Sequence, residues 1–394
     1  MRAVTWQGVE DVRVETVPDP RLEAPTDAIV RITSTAICGS DLHLYRVLPM
    51  FMEPGDILGH EPIGIVEEVG PEVGRLVPGD RVVVPFNISC GSCFMCDRRL
   101  YAQCETTQVR DQGKGAALFG YTRLYGHVPG AQAEYLRVPQ AQFGPVKVPE
   151  GPPDERFLFL SDVLPTAWQA VVGADVPAGG SVAVLGLGPI GQLCARIARL
   201  RGAALVVGVD RVPERLAMAR RHGVEVLDAA TGADVPGALA DLTAGRGPDA
   251  VIDAVGMEAH GSPAAAAAQA VAGRLPRRLG AALAERAGVD RLAALHTAVA
   301  AVRRGGTVSV VGVYGGAADP LPMMSMFDKG LTVRMGQAHV RRWIDDLLPL
   351  VHDPADPLGT EDLVTHTLPL EDAPRGYRLF QAKADGAVKV VLRP

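Results

Sequence analysis

The sequence has no block of Lys and Arg, no apolar run of membrane-spanning length and no basic-then-apolar leader. The first absence, with a formal net charge of −6, argues against a nucleic-acid partner. The second leaves no candidate for a transmembrane helix, so no membrane partner is expected. As for the third, the N-terminal stretch MRAVTWQGVEDVRVETV alternates as a strand does and does not read as a signal peptide. A soluble, cytoplasmic protein is expected. Cysteine is scarce, six in 394 residues, and four of the six crowd into residues 90–104. In a cytosolic chain such crowding means metal more often than disulfides.

The length predicts two domains rather than one. Residues 1–80 read as short strands punctuated by Pro and Gly, with candidates at Met1–Val4, Val12–Val17, Ala28–Ala36 and Ile63–Val69. That is the pattern of a small barrel or sandwich. A further strand is expected within Gln132–Val138. From Gly180 strands and helices alternate, with strands expected over 182–185, 204–209, 224–228, 249–253, 307–312 and 331–335. This rhythm predicts an α/β domain built on a doubly wound parallel sheet. The link from 253 to 307 is too long for one ordinary crossover. It reads as a helical insertion around 257–300, through Ala264–Ala268 and Leu279–Ala287, serving either as packing or as a lid. An amphipathic stretch, Trp343–Val351, and a last strand, Ala387–Leu392, are expected to return to the first domain.

The stretch Ser181–Gly191, SVAVLGLGPIG, is a buried strand running into a G-x-G-x-x-G turn. Gly186 permits the tight turn, Gly188 lets the backbone approach a pyrophosphate, and Gly191 lets helix and strand pack closely. With Pro189 and Ile190 these form a turn whose free N–H groups can hold phosphate oxygens. One helix later a second strand ends at Asp210. A carboxylate there can accept hydrogen bonds from both hydroxyls of an adenosine ribose, which favours NAD over NADP. Arg211 is the counter-signal, because an adjacent guanidinium suits a 2′-phosphate. Alternatively, Asp210 is a solvated strand end.

The loop Cys90-x2-Cys93-x2-Cys96-x7-Cys104 has the spacing to wrap one tetrahedral Zn²⁺ with four thiolates. Such a closed site has no place for substrate and is read as structural. Cys194 falls on the helix after Gly191, where a small buried residue is expected. Cys38 remains. Alone it reads as packing, but His60, flanked by Gly59 and Glu61, offers it a metal partner. A catalytic zinc needs three protein ligands and an open fourth position. No further Cys or His stands near the domain junction, whereas Asp162 does, at an expected strand-to-helix junction. The proposed set is Cys38, His60 and Asp162, whose charges formally neutralise the ion. Glu61 is either an occasional fourth ligand or half of an ion pair.

These features resemble a known family along nearly the whole chain. The Cys38 turn, Gly59-His60-Glu61, the four-Cys loop, Gly186–Gly191 and the return tail are similar to zinc-dependent medium-chain dehydrogenases/reductases of the alcohol dehydrogenase type. Val84–Cys90, Gln132–Tyr135, Leu160–Thr166 and Asp253–Gly256 look most like the glutathione-independent formaldehyde dehydrogenase branch, in which an Asp holds the third zinc position. The resemblance implies a mainly-β, GroES-like catalytic domain over 1–164, completed by 337–394, and a Rossmann NAD-binding domain over 165–336. It implies that Ser40 bonds the substrate oxygen, that His43 passes the proton towards solvent, and that Asp41 orients His60. Without it, His43 reads as a surface histidine. It also implies cofactor contacts from Thr166, Val255, Gly256, Val311, Gly312, Val313 and Gln337, with Lys389 reaching the pyrophosphate.

The expected function is hydride transfer between nicotinamide and a small alcohol or aldehyde, formaldehyde among the candidates, with one catalytic and one structural zinc per chain. A polyol or threonine-type dehydrogenase is the rival within the family. A catalytically retired NAD-binding sensor or structural protein is the rival outside it. The edge strand at Leu331–Met335 suggests a homo-oligomer, dimer or tetramer, paired across a two-fold axis.

Overall fold

In the computed structural model, which describes residues 1–257, 292–314 and 320–394, the chain forms two compact units. One comprises Met1–Pro165 and Ala338–Pro394, the other Thr166–Gln337.

The first unit is mainly β. Its strands are β1 (Arg2–Gly8), β2 (Asp11–Thr16), β3 (Ala28–Ile37), β4 (Asp56–Ile57), β5 (Pro62–Val69), β6 (Arg81–Val83), β7 (Tyr135–Val138) and β8 (Val146–Lys147). They form a small sheet, β2-β1-β4, and the greater part of a larger one. The core lies under β3 and β5, where Val30, Ile32 and Val66 pack with Leu76, Val82, Phe119 and Leu136. Along β3 only Arg31 is exposed and Thr33 half-buried, so the strand is covered over most of its length rather than on one face alone. Only Tyr135–Val138 of the expected Gln132–Val138 strand is regular. Its first residues are bound elsewhere, the Gln132 N–H donating to the Leu58 carbonyl.

The second unit is a six-stranded, all-parallel sheet of β9 (Ser181–Leu185), β10 (Leu205–Asp210), β11 (Glu225–Asp228), β12 (Ala250–Asp253), β13 (Thr307–Val310) and β14 (Thr332–Met335). The order is β11-β10-β9-β12-β13-β14. The order reverses between β9 and β12, the switch point where such sheets bind ligands at their carboxyl ends. Helices Pro189–Leu200, Pro213–Arg221 and Ala293–Ala301 lie among the crossovers. Short apolar runs such as Val182–Leu185 are buried on both faces, as parallel strands require. The expected helices Ala264–Ala268 and Leu279–Ala287 lie outside the described residues.

The tail returns to the first unit. Helix Val340–His352 turns Val340, Ile344, Leu347 and Val351 inward, a 3.6-residue stripe. β15 (Val364–Pro369) and β16 (Lys389–Arg393) complete the larger sheet, with β16 antiparallel to β3. Among the described residues no single helix is long and apolar enough to cross a membrane.

Candidate active site

Cys38 directly follows β3 and caps the short helical turn Gly39–Leu42, and His60 and Glu61 immediately precede β5. Asp162 stands between the 3-10 turn Phe159–Ser161 and the helix Val163–Ala174. It is therefore approached through a helical turn, not the expected strand, because Phe157–Leu160 are buried as a compact apolar turn. Cys38 Sγ lies 3.5 Å from Asp162 Oδ2, and His60 Nε2 lies 3.4 Å from the same oxygen. The ligand atoms of Cys38, His60, Glu61 and Asp162 all fall within 4.8 Å of one another, and all four residues are buried.

Two of these acids, Cys38 and Glu61, are pushed towards their protonated forms. Burial pushes the Cys38 thiol up to about 11, and the Glu61 and Asp162 carboxylates add to the shift. Burial also raises Glu61, against the pull of Lys389. Glu61 Oε2 has no hydrogen-bond partner despite complete burial. His60 is held well above its ordinary value; burial opposes its charge, but Asp41 and Asp162 outweigh it. A thiolate, an imidazole and a carboxylate converging on one point suit a divalent zinc, which would relieve this crowding of like charge.

The surrounding residues fit their expected parts unevenly. The Ser40 hydroxyl is 3.2 Å from His60 Nε2. His43 is buried, not the surface histidine of the alternative reading. Asp41 Oδ1 is 3.2 Å from His60 Nδ1, so the ring's other nitrogen is left to face Cys38 and Asp162. Lys389 corrects an expectation. It is wholly buried within the first unit, and its ammonium lies 2.5 Å from Glu61 Oε1. Its charge is committed to Glu61 rather than open to a pyrophosphate. Sequence reasoning gave no role to two rings beside His60, Phe86 at 6.3 Å and Tyr121 at 6.4 Å between centroids. Nothing in their local pattern marks them, since the loops that carry them have no periodicity.

The four-Cys loop also folds as a cage. Cys90 and Cys96 sulfurs are 4.0 Å apart, and those of Cys93 and Cys104 are 3.9 Å apart. A tetrahedron with Zn–S bonds of ~2.3 Å has edges of ~3.8 Å. The N–H groups of Ser92 and Glu105 donate to the Cys90 and Cys93 sulfurs, and the Thr106 hydroxyl donates to Cys90. Burial resists ionisation of Cys90, but the Thr106 hydroxyl and the Ser92 N–H, with neighbouring Cys104 and Cys93, pull it down to about 6. Cys194 is fully buried with its thiol directed at the Ala167 carbonyl, a packing role.

In the second unit the turn Gly186–Gly191 sits at the carboxyl end of β9, opening the helix Pro189–Leu200. Gly186 has φ +84°, and a Cβ on Gly191 would stand 1.8 Å from the Gly186 carbonyl oxygen. A Cβ on Gly188 would meet nothing closer than Arg215 Nη1 at 3.7 Å. The protein itself therefore demands Gly186 and Gly191, whereas Gly188 keeps open the half-buried space before Pro189 and Ile190. Asp210 is no solvated strand end. Its Oδ2 accepts the Leu187 N–H at 2.6 Å, and Oδ1 accepts those of Arg211 and Val212. The Arg211 side chain is exposed beside it. Beyond β12 and β13, Val255–Gly256 packs on Gly312–Val313, so tightly that a Cβ on Gly256 would lie 2.5 Å from the Val313 carbonyl. Asp253, which sequence reasoning left without a role, braces this pair. It accepts the N–H groups of Val255 and Gly256 and the Tyr314 hydroxyl at 2.6 Å. Thr166 and Gln337 bound the unit, the Gln337 carbonyl accepting from the Gln169 amide.

A β unit with one closed thiolate cage and one buried Cys/His/Asp cluster, and a doubly wound unit with a phosphate turn, define a zinc-containing dehydrogenase. Residues 24–150 match the alcohol dehydrogenase GroES-like domain, and residues 189–276 match the zinc-binding dehydrogenase family. The chain is 41% identical to the uncharacterized zinc-type alcohol dehydrogenase-like protein AdhB of Bacillus subtilis, over 100% of both chains. It is 33% identical to the glutathione-independent formaldehyde dehydrogenase of Pseudomonas aeruginosa, over 97% of this chain and 95% of that one. Among solved structures, alcohol dehydrogenase TADH from Thermus sp. ATN1 matches with a TM-score of 0.83 and 38% identity, over 100% of this chain and 99% of that one. The chain belongs to the zinc-type alcohol dehydrogenase family.

Proposed function

We propose that this oxidoreductase moves hydride between NAD and a small alcohol or aldehyde, formaldehyde among them, with one zinc at Cys38, His60 and Asp162 and a second in the four-Cys cage. The observation that carries the reading is the buried Cys38/His60/Glu61/Asp162 cluster with the Ser40 hydroxyl beside it. A zinc held there supplies Lewis acidity, polarising a carbonyl or lowering the pKa of an alcohol. Ser40 takes the hydroxyl proton and His43, buried three residues on, passes it towards solvent. Asp41 fixes the ring of His60. Phe86 and Tyr121 narrow the space beside that ring, which favours a short substrate. The phosphate turn and Asp210 support NAD, while the exposed Arg211 is the feature that would admit NADP. The protein works in the cytoplasm, where its six cysteines, none of them in a disulfide, stay reduced. It associates through the exposed edge β14.

The test is NADH formation by purified protein with added NAD, and NADPH formation with NADP, across short alcohols, polyols, threonine and formaldehyde without glutathione. Turnover of short substrates with NAD is expected. Turnover of polyols or threonine alone, or a clear preference for NADP, would replace that part of the reading. Asp162→Asn is expected to lose turnover and one zinc while keeping its fold. Full activity in that variant would sink the ligand assignment.

A further inference from the structure

The polar contacts behind His60 continue inward for two residues beyond Asp41. Asp41 is fully buried, and its two oxygens are used differently. Oδ2 accepts the Cys38 N–H at 2.9 Å and the Gln132 amide at 3.1 Å. Oδ1 lies 3.2 Å from His60 Nδ1, and neither of those two atoms has any other partner. Gln132 is likewise fully buried. Its amide nitrogen donates both to Asp41 and, at 3.1 Å, to the Ala36 carbonyl, while its oxygen accepts the Tyr377 hydroxyl at 2.8 Å. Flipping the amide would turn its oxygen on two acceptors, the Ala36 carbonyl and the Asp41 carboxylate, which disfavours the other orientation. Tyr377 is itself wholly buried on the helix Ala373–Ala382, its ring 5.3 Å from that of Tyr45.

The glycine before His60 serves the same arrangement. A Cβ on Gly59 would stand 2.4 Å from Gln132 Cγ, and Gly59 has φ +94°. The Gln132 side chain passes directly over Gly59 to reach Asp41. The network thus runs from the C-terminal helix through Gln132 and Asp41 to the metal-facing imidazole, all within the first unit.

We propose that Gln132 and Tyr377 are positioning residues for the zinc ligand His60: they lock Asp41 in the orientation that holds the ring with Nε2 directed at Cys38 and Asp162. The proposal rests on the catalytic-zinc reading above. Removing the direct partner of a metal-bound His costs about 10- to 100-fold in affinity, and Gln132 and Tyr377 act one and two steps further out, so the low end of that range is the most expected of them.

The test uses the whole chain loaded with zinc, in the variants Gln132→Met and Tyr377→Phe. Methionine keeps the unbranched stem that clears Gly59 and removes the amide. Zinc release to a colorimetric chelator is followed over time, and the cobalt-substituted proteins are compared by visible absorption. Gln132→Met is expected to release one zinc about tenfold faster than wild type, with the second phase unchanged. Tyr377→Phe should shift the same phase in the same direction by less. The cobalt bands of the Cys38/His60/Asp162 site should move while those of the four-thiolate site stay. Retention of the cage zinc reports that each variant is folded; should Gln132→Met lose both ions at once, Tyr377→Phe alone decides. Wild-type release rates together with unchanged cobalt bands would overturn the proposal. A wild-type protein that takes up zinc only in the cage would overturn the catalytic-zinc reading itself, and this inference with it.

Discussion

Glu61 and Lys389 show what a single residue contributes that no local pattern reveals. Both are fully buried, and each holds the other's charge in place. Burial disfavours the Lys389 ammonium, but Glu61 more than compensates and its pKa rises. Removing one partner of such a pair leaves an uncompensated buried charge. Lys389→Met should therefore cost about 3–5 kcal/mol of stability in metal-free protein, read from the urea midpoint. With zinc bound beside Glu61 the cost should shrink, because the cation takes over part of the compensation. An equal loss with and without zinc would show that Glu61 does not share the field of the metal site. Cys38, His60 and Asp162 were legible from ligand chemistry and from the lack of any other donor. An ion pair at Glu61 was one of two readings, but its partner was not legible, because Lys389 lies 328 residues away and the resemblance assigned it to the pyrophosphate.

At the scale of elements the sequence was most legible where periodicity and turn chemistry agreed. Each of the six expected parallel strands falls within two or three residues of an observed one, since short apolar runs bounded by Gly, Pro and Asp have few other uses. The glycine turn gives a paired prediction. Gly191→Ala drives a Cβ into the Gly186 carbonyl, so it should lower the melting temperature through overpacking of about 1–3 kcal/mol. Gly188→Ala meets no protein atom nearer than 3.7 Å, so the fold should be untouched while NADH affinity falls about tenfold or more, roughly 1.4 kcal/mol. Equal melting losses in both variants would mean that Gly188 serves the fold and not a ligand. Less legible were the braces at strand starts. Asp249 accepts the N–H and hydroxyl of Ser181 and the guanidinium of Arg303, tying β9 to the entries of β12 and β13. Burial would raise its pKa, but Arg303 and Ser181 prevail and lower it from 3.8. A depressed carboxylate stabilises the fold above its unfolded value and loses that contribution as pH falls through the folded one. Unfolding midpoints of wild type and Asp249→Asn should thus differ at neutral pH and converge below about pH 4, roughly the unfolded carboxylate value. A constant gap down to pH 2 would rule out this titration.

For the whole molecule, the edge of the six-stranded sheet is the feature that a lone chain explains least. All four residues of β14 are exposed, and among the described residues no strand lies beside the outer row of its backbone groups. The helix Met323–Lys329 just before it exposes Met324 by 78% and Phe327 by 85%, and Met335 on the strand is 71% exposed. Natural edges are blunted by charge, proline or cover, and this one carries a single arginine, Arg334, loosely paired at 3.9 Å with Asp175. A two-fold axis beside β14 would pair the strand with its own copy and cover the same apolar side chains on both partners, since an isologous contact uses one patch twice. The sequence marked the strand as a pairing edge. It did not mark the helix. Sedimentation equilibrium should give a mass of twice 41.5 kDa or a higher multiple for wild type, and a monomer for Phe327→Lys combined with Met335→Lys. Two lysines on each side of a contact that must bury about 1,200–2,000 Å² would place like charges together in its centre. A wild-type monomer, or a double variant that still associates, would remove this edge as the site of assembly.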